Sequence, residues 1–127
     1  LPTLPEAWRQ ILVPVDKVLG TGGTENSLDT FSLRLFLPTE KEVFGTAAAG
    51  SADEGSQYPV HATAANRIKR LSNGSGAVSG WWTASAAVSS ETAVCTVTGT
   101  GSAGISESNN PQGVGLMFCI CHAPSDQ

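Results

Sequence analysis

The second half of this chain is cut into short pieces. Between residues 75 and 121 every β-type run is stopped by Gly, Ser or Asn. One run opens at Trp81-Trp82, another is the β-branched alternation of residues 92–98 (TAVCTVT), and residues 99–104 form a turn region. The last run, residues 114–121 (VGLMFCIC), is continuously apolar at its end. Runs of this length and spacing are read as strands of one small sheet, and residues 81–121 as a twisted β-meander with long polar connections. The closing run is expected to be a central strand buried on both faces.

The first half reads differently. Residues 3–12 have a short-helix pattern, with Thr3 and Glu6 at capping-box spacing and Trp8, Ile11 and Leu12 on one face. Pro14 ends that helix and confines Val13, Val15 and Val18 to an edge or irregular extended segment. Residues 20–29 (GTGGTENSLD) form a loop, and residues 31–37 (FSLRLFL) alternate as a strand. Residues 38–44 predict one helical turn, with Thr39 as N-cap, Glu42 three residues on and Gly45 closing it. After the small-residue loop 46–57, residues 59–72 carry the longest helical stripe, Val60, Ala64, Ile68 and Leu71, with Asn73-Gly74 as C-cap. Arg67, Lys69 and Arg70 then read as a solvated face set against the helix dipole.

At 127 residues there is room for one domain. Gly, Ser and Thr supply 40 of those residues, and only 14% are charged, against roughly 25% in an average soluble protein. That balance favours strands, turns and surface loops over solvated helices. No apolar run approaches the roughly 20 residues that span a bilayer, and no signal or transit segment opens the chain. Because Leu1 stands where Met would start a chain, the polypeptide reads as a processed product or part of a longer one. The net charge is −4, and residues 81–127 hold Glu91, Glu107 and Asp126 but no Lys or Arg. Phosphate binding needs clustered cations, so nucleic acid is not an expected partner, and neither is membrane insertion.

Reactive groups are few. Cys95, Cys119 and Cys121 cannot close a disulfide framework. Cys95 and Cys119 both lie in strand-like runs, which leaves one bridge between them or buried free thiols as the two readings. Cys119-x-Cys121-His122 lacks the C-x₂₋₄-C spacing and second ligand pair of structural zinc sites, with only His61 elsewhere. No G-x-S-x-G elbow, P-loop or paired carboxylates are recognisable. The chain is therefore read as neither an enzyme nor a cofactor or metal carrier.

What remains is a surface. Residues 83–90 (TASAAVSS) and 102–112 (SAGISESNNPQ) offer short hydrogen-bonding and small apolar side chains, the kind that surround aromatic anchors in adaptable binding faces. In a strand, one of Trp81 and Trp82 points into the core and the other outward. The outward one is a candidate platform for a sugar ring or a partner's side chain, the alternative being that loops bury both.

Five segments carry a resemblance. Residues 35–45 (LFLPTEKEVFG) resemble L-F-L-L-S-x-E-E-V-F-G, and residues 65–69 (ANRIK) resemble A-S-R-I-K. Residues 80–85 (GWWTAS) resemble W-W-L-R-S-P, residues 95–97 (CTV) the F-C-x-V-N-S-D-G strand, and residues 113–120 (GVGLMFCI) G-V-x-P-x-F-C-I. In this order they resemble the W-W-L-R-S-P type of C-type-lectin-like domain found in phage and bacterial surface proteins. The resemblance implies an α+β fold over residues 1–121, with a small twisted, mostly antiparallel sheet, two flanking helices and long loops; residues 122–127 are a frayed tail. It also implies that residues precede the matched segment in a longer fibre or capsid-associated polypeptide.

The chain departs from that pattern at Thr83-Ala84 for Leu-Arg, at Ala86 for Pro, and at Gly115 where Arg or Ala is frequent. Loops held elsewhere by Arg are then expected to be held by packing. Asn110-Pro111-Gln112 lacks the carboxylate of sugar-binding calcium motifs, so no calcium is expected, and no oxidase activity carries over from formylglycine-generating relatives. The function implied is attachment of a phage tail fibre or spike to a host-surface glycan or protein, at the virion surface or outside the cell. Trp82 would stack, and Thr83, Ser85, Ser89, Ser90, Ser106, Ser108, Asn109 and Asn110 would hydrogen bond. The alternative is a capsid-decoration or tail protein that packs against copies of itself or other virion subunits.

Overall fold

Thr39, Glu42 and Gly45 build the most fully specified turn in the molecule. In the computed structural model, which describes residues 5–22, 27–88, 90–115, 117 and 119–120, helix α2 spans Glu40–Phe44. The Glu42 amide donates to the Thr39 hydroxyl at 3.2 Å, and the Thr39 amide donates back to the Glu42 carboxylate at 2.8 Å. Gly45 ends the helix in the left-handed region at φ 78°, where a Cβ would be disfavoured.

Around α2 the chain forms small sheets and short helices, the mixed architecture of an α+β protein. Helix α1 (Glu6–Ile11) is followed by β1 (Leu12–Val13), β2 (Val15–Gly20) and β3 (Leu28–Leu33). After α2 come a 3₁₀ turn (Pro59–His61), α3 (Ala64–Arg67), β4 (Lys69–Arg70) and β5 (Val78–Ser79). The main sheet follows: β6 (Trp81–Ala86), β7 (Ala93–Val97), β8 (Ala103–Glu107) and β9 (Gly113–Val114), with β10 (Cys119–Ile120) last. Its strand order is β8-β7-β6-β9, antiparallel except for the parallel β6–β9 edge. Separate hairpins pair β2 with β3 and β4 with β5, while β1 pairs with β10.

Six expectations are corrected. Helix α1 starts after Pro5 without a side-chain cap; Thr3 lies outside the described residues. The strand expected at 31–37 ends at Leu33, and Phe36 makes only an isolated bridge to Met117. The helix expected over 59–72 is broken at Thr63 and Ile68, both in extended conformation. Asn73-Gly74 is not a helix C-cap but the turn of the β4–β5 hairpin, where the Leu71 amide donates to the Ala77 carbonyl at 2.9 Å and Gly74 has φ 87°. The dipeptide carries both signals, and the tertiary contact decides: the Trp81 indole N–H takes the Arg67 carbonyl at 2.9 Å. The apolar stripe is not buried either, since Val60, Ile68 and Leu71 all stand exposed. Finally, the closing run is no central strand. It is divided between β9 at a sheet edge, the Met117 bridge, and β10 opposite β1.

The interior is as polar as it is apolar. Val43, Trp81 and Val97 form one buried cluster, flanked by Phe44, and Ala87, Ala93 and Cys95 another, flanked by Ala49. Between β2, α2 and the 46–58 loop lie Lys17, Thr39, Glu40, Glu42, Ser51 and Glu54, all buried. Lys17 Nζ donates to both Glu42 carboxylate oxygens and, at 3.0 Å, to the Tyr58 hydroxyl. Removing one member of a buried ion pair costs about 3–5 kcal/mol because the other charge is left uncompensated. Lys17→Met is therefore expected to destabilise the fold by about 3 kcal/mol or more. Lys17→Met combined with Glu42→Gln should recover part of that loss, as read from urea unfolding midpoints.

Candidate functional site

Strand β6 sorts its residues by alternation. Trp81, Thr83 and Ser85 are buried, while Trp82, Ala84 and Ala86 are half-buried. The two tryptophans divide as the alternation predicts, Trp81 inward and Trp82 toward the other face.

Thr83 and Ser85 go with Trp81, which corrects their reading as ligand contacts. The Thr83 hydroxyl donates to the Cys95 carbonyl at 2.6 Å, and the Ser85 hydroxyl accepts from the Glu40 amide at 2.8 Å. Both are at most 2% exposed, so no ligand reaches them. Their burial was not evident from composition, because short polar side chains serve a surface and a hydrogen-bonded interior equally well.

The opposite face of the sheet is a different surface. Cross-strand register places Trp82 beside Thr96 of β7, which pairs with Gly104 of β8. Val94 and Ser106 lie two residues along on the same face. On the other side, Val114 of β9 pairs with Trp82 and is 63% exposed. Gly104 presents no side chain between Trp82 and Ser106; a Cβ there would come within 3.1 Å of the Thr96 and Thr98 side chains. Trp82 and Ser106, two strands apart and two residues out of step, are separated by roughly 12 Å.

Ser108, Asn109 and Asn110 follow β8 in an exposed turn. The Asn110 side-chain amide donates to the Ser106 hydroxyl at 3.4 Å, and the Asn110 amide to the Glu107 carbonyl at 3.0 Å. Ser90 is half-buried beside Thr92, with the two hydroxyls 3.2 Å apart, and the Thr92 hydroxyl donates to Glu107 at 2.7 Å. Ser89 lies outside the described residues. The fold thus brings Trp82 and Ser106 to one face, with the 108–110 turn continuing from β8 and Ser90 near the β7–β8 end.

Titratable groups concentrate in the interior instead. The Glu40 carboxylate accepts from the Ala49 amide at 2.8 Å and from the Ser51 hydroxyl at 2.9 Å, closing the loop after α2. Burial pushes the Glu54 carboxyl above its ordinary 4.5, against the Gly20 amide that donates to its Oε2, and Glu40 and Glu42 add to the rise. Its Oε1 is buried without a hydrogen-bond partner. Burial lowers the basicity of His61 below its ordinary 6.5, and Lys69 and Arg67 push the same way. The Cys95 thiol is free and buried, and burial pushes it up to about 12. Cys119 lies on β10, opposite Val13 and in another sheet, so no strand register pairs it with Cys95. The described residues contain no group of three or more His, Cys, Asp or Glu placed to hold a metal ion. No helix among them is long and apolar enough to cross a membrane.

Sequence reasoning missed this polar interior. Its readable traces are Thr39 and Glu42, and only in their capping roles. The raised Glu54 gives a testable sign. A carboxyl with a raised folded-state pKa binds its proton more tightly when folded, so its contribution to stability declines as pH rises from 4.5 through the folded value. Glu54→Gln keeps an acceptor for Gly20 and cannot ionise. Its melting temperature relative to the parent is expected to rise between pH 4.5 and 8, and a falling difference in thermal unfolding scans would contradict the assignment.

The architecture and its outward face can be set against known proteins. A family model described as a domain of unknown function, DUF6273, matches residues 3–121. No curated protein and no solved structure matches the chain. With the match running over nearly the whole polypeptide, the protein belongs to the DUF6273 family.

Proposed function

We propose that this protein is a binding module with a C-type-lectin-like fold of the W-W-L-R-S-P type. In this reading it is displayed on a phage tail fibre or spike and attaches to a glycan or protein of the host cell surface. The observation that carries the reading is the setting of half-buried Trp82 on the face opposite Trp81, with exposed Val114 on one side and, beyond the buried Thr96 of β7, Gly104 and Ser106 on the other. An aromatic ring beside a flat, uncharged strip is a surface on which a sugar ring or an apolar side chain stacks. The Ser108–Asn110 turn adds adaptable donors and acceptors close by. The small, mostly antiparallel sheet with short helices and a long 45–58 connection is compatible with the lectin-like fold.

The test uses the purified domain on a glycan array and on candidate bacterial host cells. Trp82→Ala is expected to weaken binding about tenfold, the scale of a lost stacking contact, and Ser108→Ala to weaken it less. Thermal unfolding should confirm that both variants remain folded. Binding by folded Trp82→Ala equal to that of the parent would remove the reading.

Helix α1 favours a second role. It buries none of its residues, and Trp8 and Ile11 stand exposed three positions apart. A face of that kind suits packing against a neighbouring virion subunit. Native mass spectrometry of the parent and of Trp8→Ser separates the roles. Loss of an oligomer with host binding retained assigns α1 to assembly and the Trp82 face to attachment.

A further inference from the structure

We propose that a cleft between β4 and β9, bordering the Trp82 face, receives the carboxylate-bearing ring of an acidic saccharide. This rests on the attachment reading and names the ligand class for it. The cleft has a volume of about 210 Å³ and is lined by residues 69–72, 79–81 and 113–115. That is below the roughly 300 Å³ at which pockets begin to enclose whole drug-sized ligands, and it suits a single ring of a longer chain.

The charge of the lining is the first argument. The chain carries a net charge of −4 and only seven Lys and Arg. Lys17 pairs with Glu42, Lys41 with Asp53 and Arg9 with Glu6, Arg67 donates to the His61 and Gly101 carbonyls, and Arg34 stands exposed after β3, outside the cleft lining. Lys69 and Arg70 both reach this cleft, its lining contains no Asp or Glu, and neither has a carboxylate partner among the described residues. Lys69 Nζ is held 5.4 Å from the centre of the Trp81 ring, which is itself fixed by its bond to Arg67. Arg70 gives one N–H to the Gly76 carbonyl at 2.6 Å, leaving donors of its guanidinium free for an oxyanion. Two cations of one sign in a cleft attract an anion that the protein's overall charge would repel.

The remainder of the lining points to a sugar rather than a bare anion. Leu71 and Val114 supply apolar surface, and Ser72 and Ser79 supply hydroxyls. A sugar ring has an apolar C–H face and a polar rim, and it uses both kinds of wall. Gly115 lies beside Lys69 and the Trp81 ring, each 3.7 Å from where its Cβ would stand. Because Val114 lines the cleft and pairs with Trp82, an oligosaccharide could place one ring in the cleft and the next against that tryptophan.

The experiment titrates the parent domain with a glucuronate-containing oligosaccharide, its carboxyl-reduced neutral counterpart, a sulfated analogue and inorganic phosphate. The parent is expected to prefer the glucuronate form to the neutral form by at least tenfold and to lose that preference as salt rises. Lys69→Gln with Arg70→Gln should abolish the preference. Ser72→Glu, an exposed change that removes no contact of the fold, should do the same by repulsion. Trp82→Ala should weaken the acidic and neutral forms alike. Equal binding of the two forms overturns the inference while sparing the attachment reading. Displacement by phosphate or the sulfated analogue as effective as by glucuronate reduces the cleft to a general anion site and overturns the carboxylate assignment. Attachment to host cells without affinity for any saccharide also overturns it, and absence of both removes the two readings together.

Discussion

One carboxylate joins three parts of this molecule. Glu42 accepts from the Thr39 amide, which completes the cap of α2, and from Lys17 on β2 and Tyr58 at the end of the long loop. The helix start, the N-terminal hairpin and the 46–58 connection are thereby fixed to a common point. A buried ion pair contributes little net stability, because desolvation offsets the attraction. Its consequence is geometric: any arrangement that leaves Lys17 or Glu42 buried and unpaired is excluded. In a chain this poor in large apolar side chains, such exclusion takes over part of what a hydrophobic core does in other domains.

The same economy governs the rest of the interior. Glu40 is wholly buried because the backbone of the loop after α2 turns its N–H groups onto the carboxylate. Thr39 caps α2 with one lone pair and donates its hydroxyl proton to the Glu54 carbonyl at 2.6 Å. Thr83 and Ser85 do comparable work on β6. A loop without regular structure, residues 46–58, is thus held by side chains rather than by a ladder. The expectation that packing holds the loops is not met here: carboxylates and hydroxyls hold this one.

The parts legible in the sequence are those whose partners lie close along the chain. The Thr39–Glu42 cap and Gly45 are complete within seven residues, and the alternation of β6 needs only Trp81 and Trp82 to be seen. Residues 59–72 defeated the same reasoning because Asn73-Gly74 is both a helix stop and a hairpin turn, and the choice is made by Trp81, distant in sequence. Residues 114–121 failed for a related reason: one apolar run is shared among three pairing partners, which no local pattern records. Strand β8 was hidden because its Ala, Gly and Ser residues read as loop, and it forms through its register with β7. For the candidate site, Trp82 and Ser106 were legible as surface residues. Lys69 and Arg70 were assigned to a helix face that does not exist, so their convergence on one cleft could not be read.

Strand β6 finally explains why the proposed binding face and a polar interior belong together here. Its inward residues are fixed from three sides: Trp81 by the Arg67 carbonyl, Thr83 by the Cys95 carbonyl and Ser85 by the Glu40 amide. Each bond leaves the strand's other face untouched, and Trp82 is carried on a backbone whose position is set from behind. A side chain on such a strand is preorganised, so under the proposed stacking less freedom would be lost on binding. The neighbouring cleft is anchored by the same means, since Trp81 forms part of its lining and orders Lys69 above its ring. The buried hydrogen bonds that hold a small, glycine-rich fold together are also those that give its outward face a defined shape.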